Sequence, residues 1–171
     1  MMKKIFLIVF LNSFFSFCQQ KDIFLVARSG SVIEMESILK DIPSALNSKN
    51  EYGFSPLILA CYKSNNDVAR YLIENKADLD YVSQEGTALM AATVKGNSKL
   101  VELLLLNNAN PNLTDEKGTT ALMYAVQFKN EEIIQLLLKN KADKTLVNNE
   151  GKTAFEFAVF SKNDNIINLL K

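Results

Sequence analysis

Few residues in this chain are of types and spacings that could carry out chemistry. Among its neighbouring carboxylates, Glu131 with Glu132 and Asp78 with Asp80 are the pairs to weigh. Two carboxyl groups held a few ångströms apart are enough for glycoside hydrolysis. Here, however, Glu131 and Glu132 open a helix, where negative charge suits the helix dipole, and Asp78 and Asp80 fall in a turn. The sequence contains no histidine, so the commonest metal ligand and general base is missing. Zinc sites and Ser-His or Cys-His nucleophiles are thereby excluded. The glycines are single and periodic, with neither a GxGxxG fingerprint nor a phosphate-binding loop. No residue is assigned a catalytic role, and no metal, cofactor or small-molecule substrate is implied.

The elements that would have to position any site begin with the chain's size and start. With 171 residues, 48% hydrophobic and 22% charged, the chain is long enough for one domain with a sizeable core. Residues 1–18 have the three-part layout of a signal peptide: Lys3 and Lys4, an apolar run from Ile5 to Leu11, then a polar-aromatic stretch ending at Cys18. The apolar run is far shorter than the ~20 residues of a spanning helix. Ser16 and Cys18 supply the small side chains that precede a cut before Gln19, which predicts an exported chain, periplasmic or secreted, starting at residue 19. Cys18 has a second reading as the lipid-bearing first residue of an outer-membrane lipoprotein, against which stands the bulky Phe17 before it. Membrane attachment is implied only on that reading. Without Lys3 and Lys4, 17 of the 19 basic residues remain against 19 acidic ones, and a net charge of minus two gives no footprint for nucleic acid. Cys61 is then the sole thiol, which leaves no intramolecular disulfide and reads as a small core residue.

The remainder repeats. Gly53 through Ala60, Gly86 through Ala92, Gly118 through Ala125 and Gly151 through Ala158 align, with Leu57, Leu89, Leu122 and Phe155 spaced 32, 33 and 33 residues apart. A second block follows in each of three copies: Tyr71, Leu72, Ile73; Leu103, Leu104, Leu105; and Leu136, Leu137, Leu138, each ahead of an Asn-x-Ala turn. Ser55, Thr87, Thr120 and Thr153 are placed to cap the helix that follows, and Pro56 suits a first helical position. Val68 with Leu72, Leu100 with Leu104, and Ile133 with Leu137 are four apart and share a helix face. The alanines at 60, 92, 125 and 158 keep one side of the first helix thin.

This pattern resembles the ankyrin repeat over residues 22–171. The resemblance implies an all-α solenoid of about five helix-turn-helix units with hairpin-like loops, covering about 22–50, 51–83, 84–115, 116–148 and 149–171 after a short linker at 19–21. The first and last units read as caps, and no domain is expected beyond the last. Two departures from the family pattern bear on stability. Ile58, Met90, Met123 and Glu156 replace the family's histidine, so its loop-bracing hydrogen bonds are expected to be missing. Lys76, Asn108 and Lys141 replace the turn glycine, with each lysine costing about 1 kcal/mol.

The resemblance further implies a noncatalytic protein that binds a protein partner through the groove lined by the first helices and loop tips. Residues two and three after each scaffold alanine point there: Tyr62 and Lys63, Val94 and Lys95, Gln127 and Phe128, then Phe160 and Ser161. Tyr52 and Phe54 flank the glycine of one loop tip. Aromatic side chains in solvent-facing positions are what binding hot spots are made of. Phe128 and Phe160 equally admit a core reading, with Phe160 covering the end of the stack. Lys63, Lys95, Lys129 and Lys162 form a basic line that reads either as a ridge for an acidic partner or as helix-end charges that complement the dipole. Within this class the chain would serve as an inhibitor or immunity protein, or as a scaffold.

Overall fold

The computed structural model describes residues 22–171, so the leader and linker expected from the sequence, and Cys18, lie outside the described residues. Ten helices follow in five antiparallel pairs: α1 (Ile23–Ser29) with α2 (Val32–Asp41), α3 (Pro56–Tyr62) with α4 (Asn66–Glu74), α5 (Ala88–Val94) with α6 (Ser98–Leu106), α7 (Ala121–Gln127) with α8 (Glu131–Lys139), and α9 (Ala154–Ser161) with α10 (Asp164–Leu170). A single 3-10 turn, Pro43–Asn47, extends the first pair. The fold is an all-α repeat solenoid.

Short helices of seven to ten residues are marginal alone, and this chain fixes their starts with side-chain caps. Ser55, Thr87, Thr120 and Thr153 accept the backbone N–H three residues on, at 3.2–3.3 Å. In α9 the Glu156 carboxylate also accepts the Thr153 N–H at 2.6 Å, completing a capping box. Glu156 is therefore a cap where its counterparts Ile58, Met90 and Met123 are buried apolar residues. Asn97, Asn130 and Asn163 cap the outer helices α6, α8 and α10. Asn65, in the same place before α4, instead donates its amide to the Gly30 carbonyl at 2.9 Å and so ties the second pair to the first.

Stacking buries what no pair can bury by itself. The inner helices pack in series, α1 on α3, α3 on α5, α5 on α7 and α7 on α9, and the outer helices α2, α4, α6, α8 and α10 do likewise. Ala60, Ala92, Ala125 and Ala158 are fully buried at the inner contacts, where their small side chains allow close approach. Leu72, Leu104 and Leu137 are fully buried between inner and outer layers, each contributing roughly 1.5–3 kcal/mol of burial. Cys61 is buried and free.

The turns differ from the sequence-based expectation in two respects. The loops are braced despite the missing histidine: Asn50, Asp115 and Asn148 each accept two backbone N–H groups of their own loop, and Ser83 donates to the Gly86 carbonyl. Between repeats, Asn47, Asp80 and Asn112 accept the backbone N–H of Asp78, Asn110 and Asp143 at 2.9, 2.8 and 2.7 Å. A ladder of side-chain acceptors thus couples neighbouring loops. The second difference is a further left-handed position. Lys76, Asn108 and Lys141 have φ of 66°, 67° and 65°, as the replaced glycine requires, but Ser64, Lys129 and Lys162 also have φ of 55°, 54° and 52° in the turn between paired helices. Of the four residues at that second position, only Gly96 adopts φ 65° without steric cost.

Candidate partner-binding groove

The inner helices line a concave face. Residues that immediately precede each buried alanine, Leu59, Ala91, Tyr124 and Phe157, lie three positions before Tyr62, Val94, Gln127 and Phe160, and three-apart residues share a helix face. Around α3, α5 and α7 this face encloses a concavity of about 650 Å³. It brings together five of the residues singled out from sequence: Phe54, Tyr62, Lys63, Val94 and Phe128. Tyr62 and Phe128 are 47% and 55% exposed, so Phe128 is a surface aromatic and its core reading is set aside. Val94 and Phe54 are half-buried.

Lys95 joins the same place from the next repeat. Its Nζ stands 5.1 Å from the centroid of the Tyr62 ring, and Lys63 Nζ stands 5.7 Å from that centroid. One phenol ring therefore carries two ammonium groups from adjacent repeats, each within cation–π range. Lys129, just past the end of α7, and Lys162, the C-cap of α9, both hold a left-handed backbone, whereas the C-caps Lys63 and Lys95 are right-handed. The basic line thus divides into two conformational classes.

The remaining candidates lie elsewhere on the same face. Tyr52, 64% exposed, lines a second concavity of about 710 Å³ at the loop tips with Phe54, Tyr81 and three carboxylates, Glu51, Glu85 and Glu116. Phe54 and Glu85 line both concavities, which therefore adjoin at these two residues. Gln127 lines a third, of about 380 Å³, with Tyr124 and Phe157. Phe160 is 72% exposed, with Lys152 Nζ 5.5 Å from its ring centroid. It does not cover the end of the core, which leaves its core reading without support.

A family model described as "Ankyrin repeats (3 copies)" matches residues 23–115 and again 89–171. The chain belongs to the ankyrin-repeat family. Ankyrin repeats are generally noncatalytic protein–protein interaction modules. Among curated relatives, the chain is 34% identical over 104 residues to "Ankyrin repeat and SAM domain-containing protein 6" of Mus musculus, covering 60% of this chain and 12% of that protein. It is 35% identical over 97 residues to "Ankyrin repeat, SAM and basic leucine zipper domain-containing protein 1" of Notamacropus eugenii, covering 54% and 20%. A third match, 32% over 90 residues, is "Ankyrin repeat and KH domain-containing protein mask" of Drosophila melanogaster, covering 51% and 2%. The chain thus spans a fifth or less of these relatives' lengths, and all three are eukaryotic.

Within the ankyrin groove, sequence reasoning missed Arg28, Ile58, Glu85, Met90 and Tyr124. The signal for Tyr124 was available, since it stands three residues before Gln127 on one helix face. Its hydroxyl donates to the Asp115 carboxylate at 2.6 Å. Burial, then that hydrogen bond and the Asp115 charge, push the Tyr124 phenol well above its usual range. The carboxylates weighed for catalysis are committed to structure. Asp78 accepts the Asp80 N–H, Asp80 accepts from Asn110, and Glu131 and Glu132 sit in the first turn of α8. Among the described residues no cluster of three or more Cys, Asp or Glu is placed to hold a metal ion.

Proposed function

We propose that this chain is a noncatalytic ankyrin-repeat module that binds a protein partner through its concave groove. The observation that supports it is the convergence of Tyr62, Val94 and Phe128 from three successive repeats on one solvent-exposed concavity. A stacking scaffold does not need aromatic area there, because its core is made by buried leucines and alanines below. Desolvating such aromatics against a partner is a principal source of hot-spot energy. The test is affinity capture with the native chain and with Tyr62→Ala/Phe128→Ala, identified by mass spectrometry. A partner retained by the native chain and lost by the variant supports groove binding, and equal retention argues against it.

Where the module works is read from the order of charge, apolarity and small residues in 1–18. We place it after export, in a bacterial periplasm or outside the cell, as an inhibitor or immunity protein covering an enzyme or toxin, or as a scaffold. Intact mass of the chain recovered from its natural source separates the outcomes. A chain starting at Gln19 supports export, lipid on Cys18 supports the membrane-attached lipoprotein reading, and an unprocessed chain argues against both.

A further inference from the structure

The groove is electrically polarised along the direction of its inner helices. At the loop-tip end, Glu51, Glu85 and Glu116 line the concavity; nearby cations are Lys49, whose Nζ lies 4.1 Å over the Tyr81 ring, and Lys117, next to Glu116. At the other end stand Arg28, Lys63 and Lys95. Lys63 and Lys95 are the residues at which α3 and α5 end, whereas the glutamates lie ahead of the helix starts. Asp115, also at the loop-tip end, adds to this polarity: its partners, the Tyr124 hydroxyl and backbone N–H groups of its own loop, are neutral and leave its charge in place. Among the described residues the salt bridge that forms is Lys152–Glu150, at 2.7 Å. Lys63 and Lys95 share a tyrosine ring instead of a carboxylate.

We propose that the groove receives an extended segment of the partner protein in which an apolar side chain is flanked by a cation on one side and a carboxylate on the other. This rests on the groove-binding role proposed above and specifies its partner. The apolar side chain sits against Tyr62 and Phe128, the cation faces Glu51, Glu85 and Glu116, and the carboxylate reaches Lys63 and Lys95 above the Tyr62 ring. Opposite charges on the partner lower the field at both ends, and like charges raise it at one. The spacing follows from the scaffold. Seven residues of inner helix, Pro56–Tyr62, rise about 10 Å, and an extended chain advances about 3.3–3.6 Å per residue. The partner's cation and carboxylate are therefore about three to four residues apart.

The experiment uses fluorescently labelled heptapeptides and anisotropy with the native chain. One peptide carries lysine, phenylalanine and glutamate at its second, fourth and sixth positions, with alanine elsewhere. The controls carry glutamate at both charged positions, lysine at both, or alanine in place of phenylalanine. The mixed-charge peptide is expected to bind several-fold more tightly than every control, with its advantage over the like-charged peptides shrinking as salt is raised. Lys63→Glu/Lys95→Glu is expected to shift the preference to the two-lysine peptide while the chain stays folded, its melt lowered slightly because both exposed lysines end helices and contact the Tyr62 ring. If all charged peptides bind alike and Tyr62→Ala abolishes them, the groove binds but is not selective by charge, and the inference is overturned while the binding role stands. If no peptide binds the native chain, the inference is overturned and capture of the partner decides the binding role separately. If binding survives Tyr62→Ala/Phe128→Ala, the peptide sits elsewhere and the inference is overturned, while capture of the partner again decides the binding role.

Discussion

Cys61 and Tyr124 show how one scaffold gives two side chains opposite relations to solvent. Cys61 is fully enclosed beside Ala60, and burial pushes its thiol up to about 12. The thiolate is the reactive form, so a maleimide is expected to leave Cys61 unlabelled in the native chain and to label it at the rate at which the stack opens. Prompt native labelling would contradict its burial. Tyr124 is only partly enclosed, and its neutral phenol is the form that the Asp115 hydrogen bond favours. Its contribution to stability is fully present below the unfolded phenol pKa of ~10 and is lost as pH rises through the folded value. The difference between phenolate absorbance titrations of the native chain and Tyr124→Phe isolates this one group, which is expected to ionise above the usual range. The residue scale is also where sequence was least informative. Tyr62 and Phe128 were legible as groove residues from their offset to the alanines, but which aromatic lies open depends on neighbouring repeats. Phe160 shows this: its exposure follows from what packs beside it, which spacing alone does not encode.

Helices and their turns were largely legible because each depends on residues adjacent in sequence. A hydroxyl three residues before its bonded N–H is a local pattern, and all four inner caps form where the spacing puts them. Thr120→Ala is expected to cost about 1 kcal/mol in a denaturant melt through loss of the bond to Met123. The inter-repeat ladder of Asn47, Asp80 and Asn112 was not legible, because its donors lie 30 or 31 residues away and no local propensity marks them. The turn lysines lie between these cases. Lys141 holds φ 65° at a position where an L side chain crowds the following carbonyl. Lys141→Gly is expected to stabilise the chain by about 1 kcal/mol, read as a shift in the melt midpoint with an unchanged denaturant slope. No gain, or a loss, would mean that the lysine stem packs well enough to offset the backbone strain.

At the scale of the molecule, stability is a sum of repeat terms and interfaces between neighbours, so the same substitution means different things along the stack. Ile133 and Ile166 occupy equivalent places in α8 and α10, and both are fully buried. The outer helix α8 packs against α6 on one side and α10 on the other, whereas α10 meets α8 and its own partner α9. Replacing Ile133 by alanine removes side-chain contacts from an internal interface whose loss separates the stack into two short pieces. Replacing Ile166 weakens a terminal unit that detaches without disturbing the rest. Ile133→Ala is therefore expected to lower global stability by about 2–5 kcal/mol, with hydrogen-exchange protection falling from α5 to α10. Ile166→Ala is expected to remove protection mainly in α9 and α10, and to move the global midpoint less. The comparison also bears on the groove. Tyr62, Val94 and Phe128 ride on the internal helices and their ends, so loosening the last unit should leave their concavity intact. If Ile166→Ala instead collapses protection uniformly, the five pairs unfold as one cooperative body, and the groove's geometry depends on both ends of the chain.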